Sequence, residues 1–227
     1  MTLTQRGPWL DFDLGAPMQV LSWAPHRPGL VSAARILWRE VRNADLGPER
    51  DALAWLDGEL RNRRAEDAVC FLTSRDLAAA EHAMVEVDGI RADAVATVGL
   101  SNAESIGRRL GVPPSGPALR TGWGTVNIAL RLNCGLRPEA LIELLSLVAE
   151  ARTLAITEAG LHLSTGLATG TGTDCIAVAA PAGAGRFAGL HTAIGEAAGA
   201  AVLSAMRAGV AGWRPITTEA GLPDGTP

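Results

Sequence analysis

The stretch Ala83-Met84-Val85-Glu86-Val87-Asp88-Gly89-Ile90-Arg91-Ala92-Asp93-Ala94-Val95-Ala96-Thr97-Val98 decides the fold class. Two strand-like runs, Ala83 to Val87 and Ile90 to Val98, flank Asp88-Gly89, a dipeptide that favours the φ > 0 conformations of a tight hairpin turn. Antiparallel pairing at one edge follows, which argues against a purely parallel, doubly wound sheet. Further strand patterns fall near Met18 to Trp23, Arg35 to Arg42, Ala68 to Leu72, Thr125 to Leu132 and Asp174 to Ala180. Helical patterns fall near Pro48 to Leu60, Pro138 to Ala159 and Thr192 to Ala208, with a short one near Asn102 to Leu110. The expectation is an α+β fold, a single domain whose mixed or largely antiparallel sheet is covered by helices. That domain runs over residues 1–213, with a Pro/Gly-rich surface loop at Gly111 to Gly124 and a flexible tail over 214–227.

Composition narrows the chemistry. The chain has 227 residues, 48% of them hydrophobic and 19% charged, with mean hydropathy +0.17. That is a globular composition, and no apolar run approaches the ~20 residues of a membrane span. A net charge of −4 lacks the basic footprint that a phosphate backbone requires, so nucleic acid is a poor partner. Lysine and tyrosine are both absent. Without lysine there is no Walker-type phosphate ligand and no Schiff base, so any catalyst must be a carboxylate, hydroxyl, thiol, imidazole or guanidinium. Three widely spaced cysteines, Cys70, Cys134 and Cys175, suggest neither a disulfide framework nor a zinc cage, and with no signal peptide in Met1 to Asp13 they predict a cytoplasmic protein. The four histidines show no metal-ligand spacing. No metal or other cofactor is expected, although acidic residues leave a hard divalent cation open.

The strongest local signal is Ser164-Thr165-Gly166-Leu167-Ala168-Thr169-Gly170-Thr171-Gly172-Thr173-Asp174-Cys175, a glycine–threonine loop that enters a buried strand. Glycines let main-chain N–H groups converge on a ligand oxygen and threonine hydroxyls add donors, so Thr169, Gly170, Thr171 and Gly172 are candidate binding residues; a plain turn is the alternative. Strand alternation puts Asp174 with Ile176 and Val178, and Cys175 with Ala177 and Ala179 on the core side. In the helix that begins at Pro138, Glu143, Ser146, Glu150, Thr153 and Thr157 form a polar stripe that is either a solvated edge or the lining of a cavity. Arg152 falls on the apolar face, where a guanidinium needs a partner, and Asp174 is the first choice.

Ser101-Asn102-Ala103-Glu104 has the spacing of a helix capping box, while Asn102 fits a binding crevice better than a cap. Thr125, Asn127 and Arg131 share one strand face, expected to be wet or functional, opposite the apolar Val126, Ile128 and Leu130. His191, just before the last helix, is a candidate ligand or catalytic imidazole. Trp23 and Trp123 stand in loop-prone surroundings and could supply a flat wall for a large ring, whereas Trp38 and Trp55 look like core.

The order of Gly99-Leu100-Ser101-Asn102, Gly124-Thr125-Val126-Asn127, Glu150-Ala151-Arg152-Thr153, Thr169 to Asp174 and His191 with Glu196 resembles the adenosylcobinamide amidohydrolase family, over roughly Met18 to Gly209. The resemblance implies hydrolysis of the amide between the corrin ring and the aminopropanol arm of adenosylcobinamide, giving adenosylcobyric acid for coenzyme B12 synthesis. A corrinoid would then be the small-molecule partner of a chain that could form a homo-oligomer; a corrinoid carrier without hydrolysis is the alternative. For such a reaction, Asp174 or Glu150 would activate water, Gly170 to Thr173 would hold the oxyanion, and His191 or Glu196 would protonate the departing amine. Thr173 as nucleophile is the competing version, with Asn102, Trp123, Thr125, Asn127 and Arg152 meeting the substrate.

Overall fold

The computed structural model describes residues 1–42, 45, 51–108 and 124–213. Trp123, most of the expected 111–124 loop and the expected 214–227 tail lie outside the described residues. The first half of the chain runs β1 (Thr2–Arg6), β2 (Trp9–Ser22), β3 (Gly29–Glu40), α1 (Ala52–Arg63), β4 (Val69–Thr73), β5 (Glu81–Val87) and β6 (Ile90–Val98). The second half runs β7 (Ala103–Glu104), β8 (Val126–Leu132), α2 (Pro138–Glu158), β9 (His162–Leu163), β10 (Gly166–Leu167), β11 (Gly170–Thr171), β12 (Cys175–Ala180) and α3 (Ala193–Gly212).

The hairpin forms as its sequence dictates. Val87 pairs with Ile90 across Asp88 and Gly89, whose φ angles of 49° and 77° match the right-handed twist of the flanking strands. Eight strands make one mixed sheet in the order β4-β3-β2-β12-β8-β6-β5, with β1 also on β2. Two neighbour pairs, β3 with β4 and β8 with β12, are parallel, and the rest are antiparallel. The α+β expectation holds.

Side-chain alternation then sorts three apolar layers. Val126, Ile128 and Leu130 of β8, with Ile176 and Val178 of β12, pack under α2 and α3. On the opposite face, Ala129, Ala177, Ala179 and Val95 meet Phe12, Val20, Ile36, Trp38 and Phe71 from β2, β3 and β4. The sheet must therefore fold back on itself. Asn127 Nδ2 donates to the Leu72 carbonyl at 2.8 Å, although β4 and β8 stand four places apart in the strand order. Finally, α1 covers the outside of β3 and β4 through Leu56, Leu60, Leu37 and Cys70. On that side the Arg39 guanidinium lies 4.7 Å from the Trp55 ring and pairs with Glu59 at 2.9 Å. Helix, folded sheet and helices thus stack in four layers.

This fold-back corrects one expectation. The face of β8 that carries Thr125 and Asn127 is buried, not wet, because β4 lies over it. A second correction concerns the short helix expected over Asn102 to Leu110. Its described part holds no helix: Ala103 and Glu104 pair as a strand with Thr171 and Gly170, and the Glu104 carbonyl accepts from Thr169 N at 2.9 Å. That long-range pairing satisfies the backbone which a capping box would have served. Among the described residues no helix is long and apolar enough to cross a membrane.

Candidate functional site

The glycine–threonine loop closes over the starts of the parallel strands β8 and β12, with Asp174 as its anchor. One oxygen, Oδ2, accepts from Thr171 N at 3.0 Å and pairs with Arg152 Nη1 at 3.0 Å; the other, Oδ1, accepts from Thr171 Oγ1 and from Val126 N at 3.2 Å. The expected Arg152 partner is therefore the observed one, since α2 runs its apolar face past the first residue before β12. The carboxylate is only 6% exposed and its oxygens are occupied by donors. Three hydrogen bonds and the Arg152 ion pair tie this carboxylate to the loop and to the start of β8. A Cβ at Gly170 would lie 2.8 Å from Asp174 Oδ2, so any side chain there forces the carboxylate or the loop to shift.

One residue earlier, Thr173 turns outward and is exposed. Its hydroxyl accepts from Asn102 Nδ2 at 3.3 Å and donates to the Gly124 carbonyl at 3.3 Å, while its own carbonyl accepts from Thr125 Oγ1 at 2.7 Å. Asn102 Oδ1 is buried with no hydrogen-bond partner among the described residues. Gly124 fits only without a side chain, because a Cβ would approach Ser101 N to 2.6 Å. Gly172 is exposed beside Asn102, and Thr169 is spent on the Ile106 amide at 2.8 Å. Asn127 is fully buried, with its amide held by Leu72.

The remaining candidates gather elsewhere. The polar stripe of α2 lines an open cleft of about 530 Å³, with Glu143, Ser146 and Glu150 on one wall and Phe187, Leu190 and His191 on the other. Glu143 holds that second wall by accepting from Ala188 N at 2.6 Å. Glu150 lies about 200° around α2 from Arg152, so it faces away from the Asp174 cluster. Glu196, exposed in the first turn of α3, lines neither place. The structure thus brings Asn102, Thr125 and Arg152 onto Thr173 and Asp174, leaves Thr169 bonded to Ile106, and puts Glu150 and His191 along the α2 cleft.

Two features escape a reading of the sequence as motifs. The Val126 amide on Asp174 carries no side-chain signal. Trp23, read from the sequence as a candidate flat wall for a large ring, gives no sign there of the bond its Nε1–H donates to the Asp174 carbonyl at 2.7 Å. Burial foremost, and then the Asp174 charge, push the Cys175 thiol up to about 11, which disfavours the nucleophilic thiolate. Among the described residues no group of three or more His, Cys, Asp or Glu converges as a metal site would need.

Comparison with known sequences matches residues 2–218 to a family of amide hydrolases. The chain belongs to the adenosylcobinamide amidohydrolase family. The matched range extends beyond the motifs, into β1 and the N-terminal half of β2. No curated protein sequence matches the chain. Among solved structures it is similar to a β-aminopeptidase from Burkholderia sp., at 13% identity, 88% of this chain, 78% of that one and a TM-score of 0.47. It is also similar to a protein from Pyrococcus horikoshii OT3, at 10% identity, 88% and 76% coverage and a TM-score of 0.43.

Proposed function

We propose that this protein hydrolyses the amide between the corrin ring and the aminopropanol arm of adenosylcobinamide, with the Thr173 hydroxyl at the reacting carbonyl. Membership of the family supports this choice of substrate. The observation that carries the site is exposed Thr173, whose hydroxyl is oriented by Asn102 and Gly124 on a loop that Asp174 and Arg152 hold. Threonine attack suits this cluster better than water activated by Asp174, because that carboxylate is buried and already held by three hydrogen bonds and the Arg152 ion pair. Glu150 suits it less, because it faces away.

In this scheme Thr173 Oγ1 adds to the amide carbon, and the Asn102 amide with the exposed loop at Gly172 faces the developing oxyanion. The C–N bond then breaks and the hydroxyl proton leaves with the amine as free aminopropanol. Water cleaves the resulting ester, releasing adenosylcobyric acid and restoring the hydroxyl. A preorganised oxyanion donor contributes about 10²–10³ in rate.

The test is incubation of purified, chelator-treated protein with adenosylcobinamide, followed by mass analysis for adenosylcobyric acid and aminopropanol. Both products are expected, with loss of turnover in Thr173→Ala and partial retention in Thr173→Ser. Bound but intact substrate would instead mark a carrier. Full turnover by Thr173→Ala would return the attack to water.

A further inference from the structure

Trp23 lies outside the hydroxyl–amide cluster, yet it is tied to it. The chain leaves β2 at Ser22, which pairs with Ala177 of β12, so the next residue stands beside the strand that begins at Cys175. Its indole Nε1–H donates to the Asp174 carbonyl at 2.7 Å. Its backbone carbonyl accepts the weak contact of Cys175 Sγ at 3.8 Å. Both ends of the residue are thus fixed, yet the residue as a whole is 41% exposed. An exposed tryptophan held by its one polar atom is a preorganised flat surface: its donor is already satisfied, so only the π-face and apolar edge are left for a ligand.

We infer that Trp23 is the stacking platform for the conjugated macrocycle of the substrate, a specificity-determining residue that holds the ring while a peripheral amide reaches Thr173. The inference rests on the corrinoid reading given above. Its physical content is separate, because it concerns ring binding and not bond cleavage. Stacking of a conjugated ring on an aromatic side chain is sequence- and substituent-tolerant and acts on the ground state and transition state alike. Removing it should therefore raise KM and leave kcat nearly unchanged. A merely structural role, in which the indole bond props up Asp174, would lower kcat instead, and phenylalanine would fail as badly as leucine because neither makes that bond.

The experiment compares wild type, Trp23→Phe and Trp23→Leu in two measurements: steady-state hydrolysis of adenosylcobinamide, and equilibrium binding of adenosylcobyric acid, which keeps the ring and lacks the scissile amide. For Trp23→Leu, KM and the Kd of adenosylcobyric acid should each rise about tenfold, with kcat within about threefold of wild type. Trp23→Phe should recover most of the loss. Unchanged KM and Kd in Trp23→Leu, or equal loss of kcat in both variants, would overturn the stacking role while leaving the hydrolase reading intact. Wild-type binding of adenosylcobyric acid that depends on Trp23, without any hydrolysis, would overturn the hydrolase reading and keep the platform. Failure of the wild type to bind adenosylcobyric acid would overturn both.

Discussion

The Arg152 guanidinium sits 3.0 Å from Asp174 Oδ2, with the two side chains 18% and 6% exposed. This pair ties α2 to the start of β12 and fixes the loop that carries Thr173. Removing one member of a well-buried pair leaves the other charge uncompensated, which costs about 3 kcal/mol. Arg152→Met should therefore lower the free energy of unfolding by about that much, and Asp174→Asn should act similarly. In a double-mutant cycle read by urea denaturation, the coupling between the two should exceed about 1 kcal/mol. Additive effects would show that the pair does not act as a unit.

Gly170 offers a way to disturb the same clamp without touching a charge. An added methyl at 2.8 Å from Asp174 Oδ2 forces the carboxylate or the loop to move. Overpacking of this kind costs about 1–3 kcal/mol. Gly170→Ala should fold with a lowered melting temperature and lose hydrolysis of adenosylcobinamide more than tenfold, because Thr173 lies three residues further along the displaced loop. Gly172→Ala, whose added Cβ would come no nearer than 4.0 Å to Asn102 Nδ2, should be far milder. Equal behaviour of the two variants would argue against Asp174 as the anchor.

Local pattern carried the sequence reading as far as local pattern determines structure. The Asp88-Gly89 hairpin was legible because two φ > 0 positions leave few alternatives. The Arg152–Asp174 pair was legible because a guanidinium on an apolar helix face demands a buried acid. Ser101 and Glu104 misled, since Ser101-x-x-Glu104 spells a capping box as readily as a turn whose next strand pairs with residues 170 and 171, and only that distant partner decides. Asn127 misled for a related reason: alternation assigns it a face, but what covers that face depends on the sheet folding β4 over β8. The α2 stripe was correctly seen as polar, yet its opposite wall, residues 187–192, follows about forty residues later with no periodicity to announce it.

Asp93 supplies a control far from Thr173. Its side chain is fully buried on β6 and is met by Arg131 at 3.3 Å, Arg91 at 3.1 Å and His82 at 3.4 Å. Along β8, Arg131 stands four residues beyond Asn127, roughly 13 Å at strand rise, so the cluster holds the opposite end of the strand. Asp93→Asn should cost about 3 kcal/mol in stability by leaving Arg131 without its counter-charge. Activity per folded molecule should stay within about twofold of wild type. A selective loss of kcat would instead connect this cluster to the reaction.

Cys175 predicts how stability responds to alkali. In the folded chain its thiol is raised from 9.0 to about 11, by burial first and the Asp174 charge second. Below pH 9 the thiol is protonated in both folded and unfolded chains and contributes no pH dependence. Between those two values the unfolded chain loses the proton first, which favours unfolding, so stability falls as pH rises through the window and levels off above it. Replacing the thiol removes that share of the slope. Relative to its own value at pH 8, Cys175→Ala should lose less stability than wild type by pH 10.5, by roughly 1–2 kcal/mol once partial solvent access is allowed for. Urea midpoints measured for both proteins at the two pH values give the comparison directly. Parallel alkaline losses would mean that the thiol ionises with equal ease in the folded and unfolded chains.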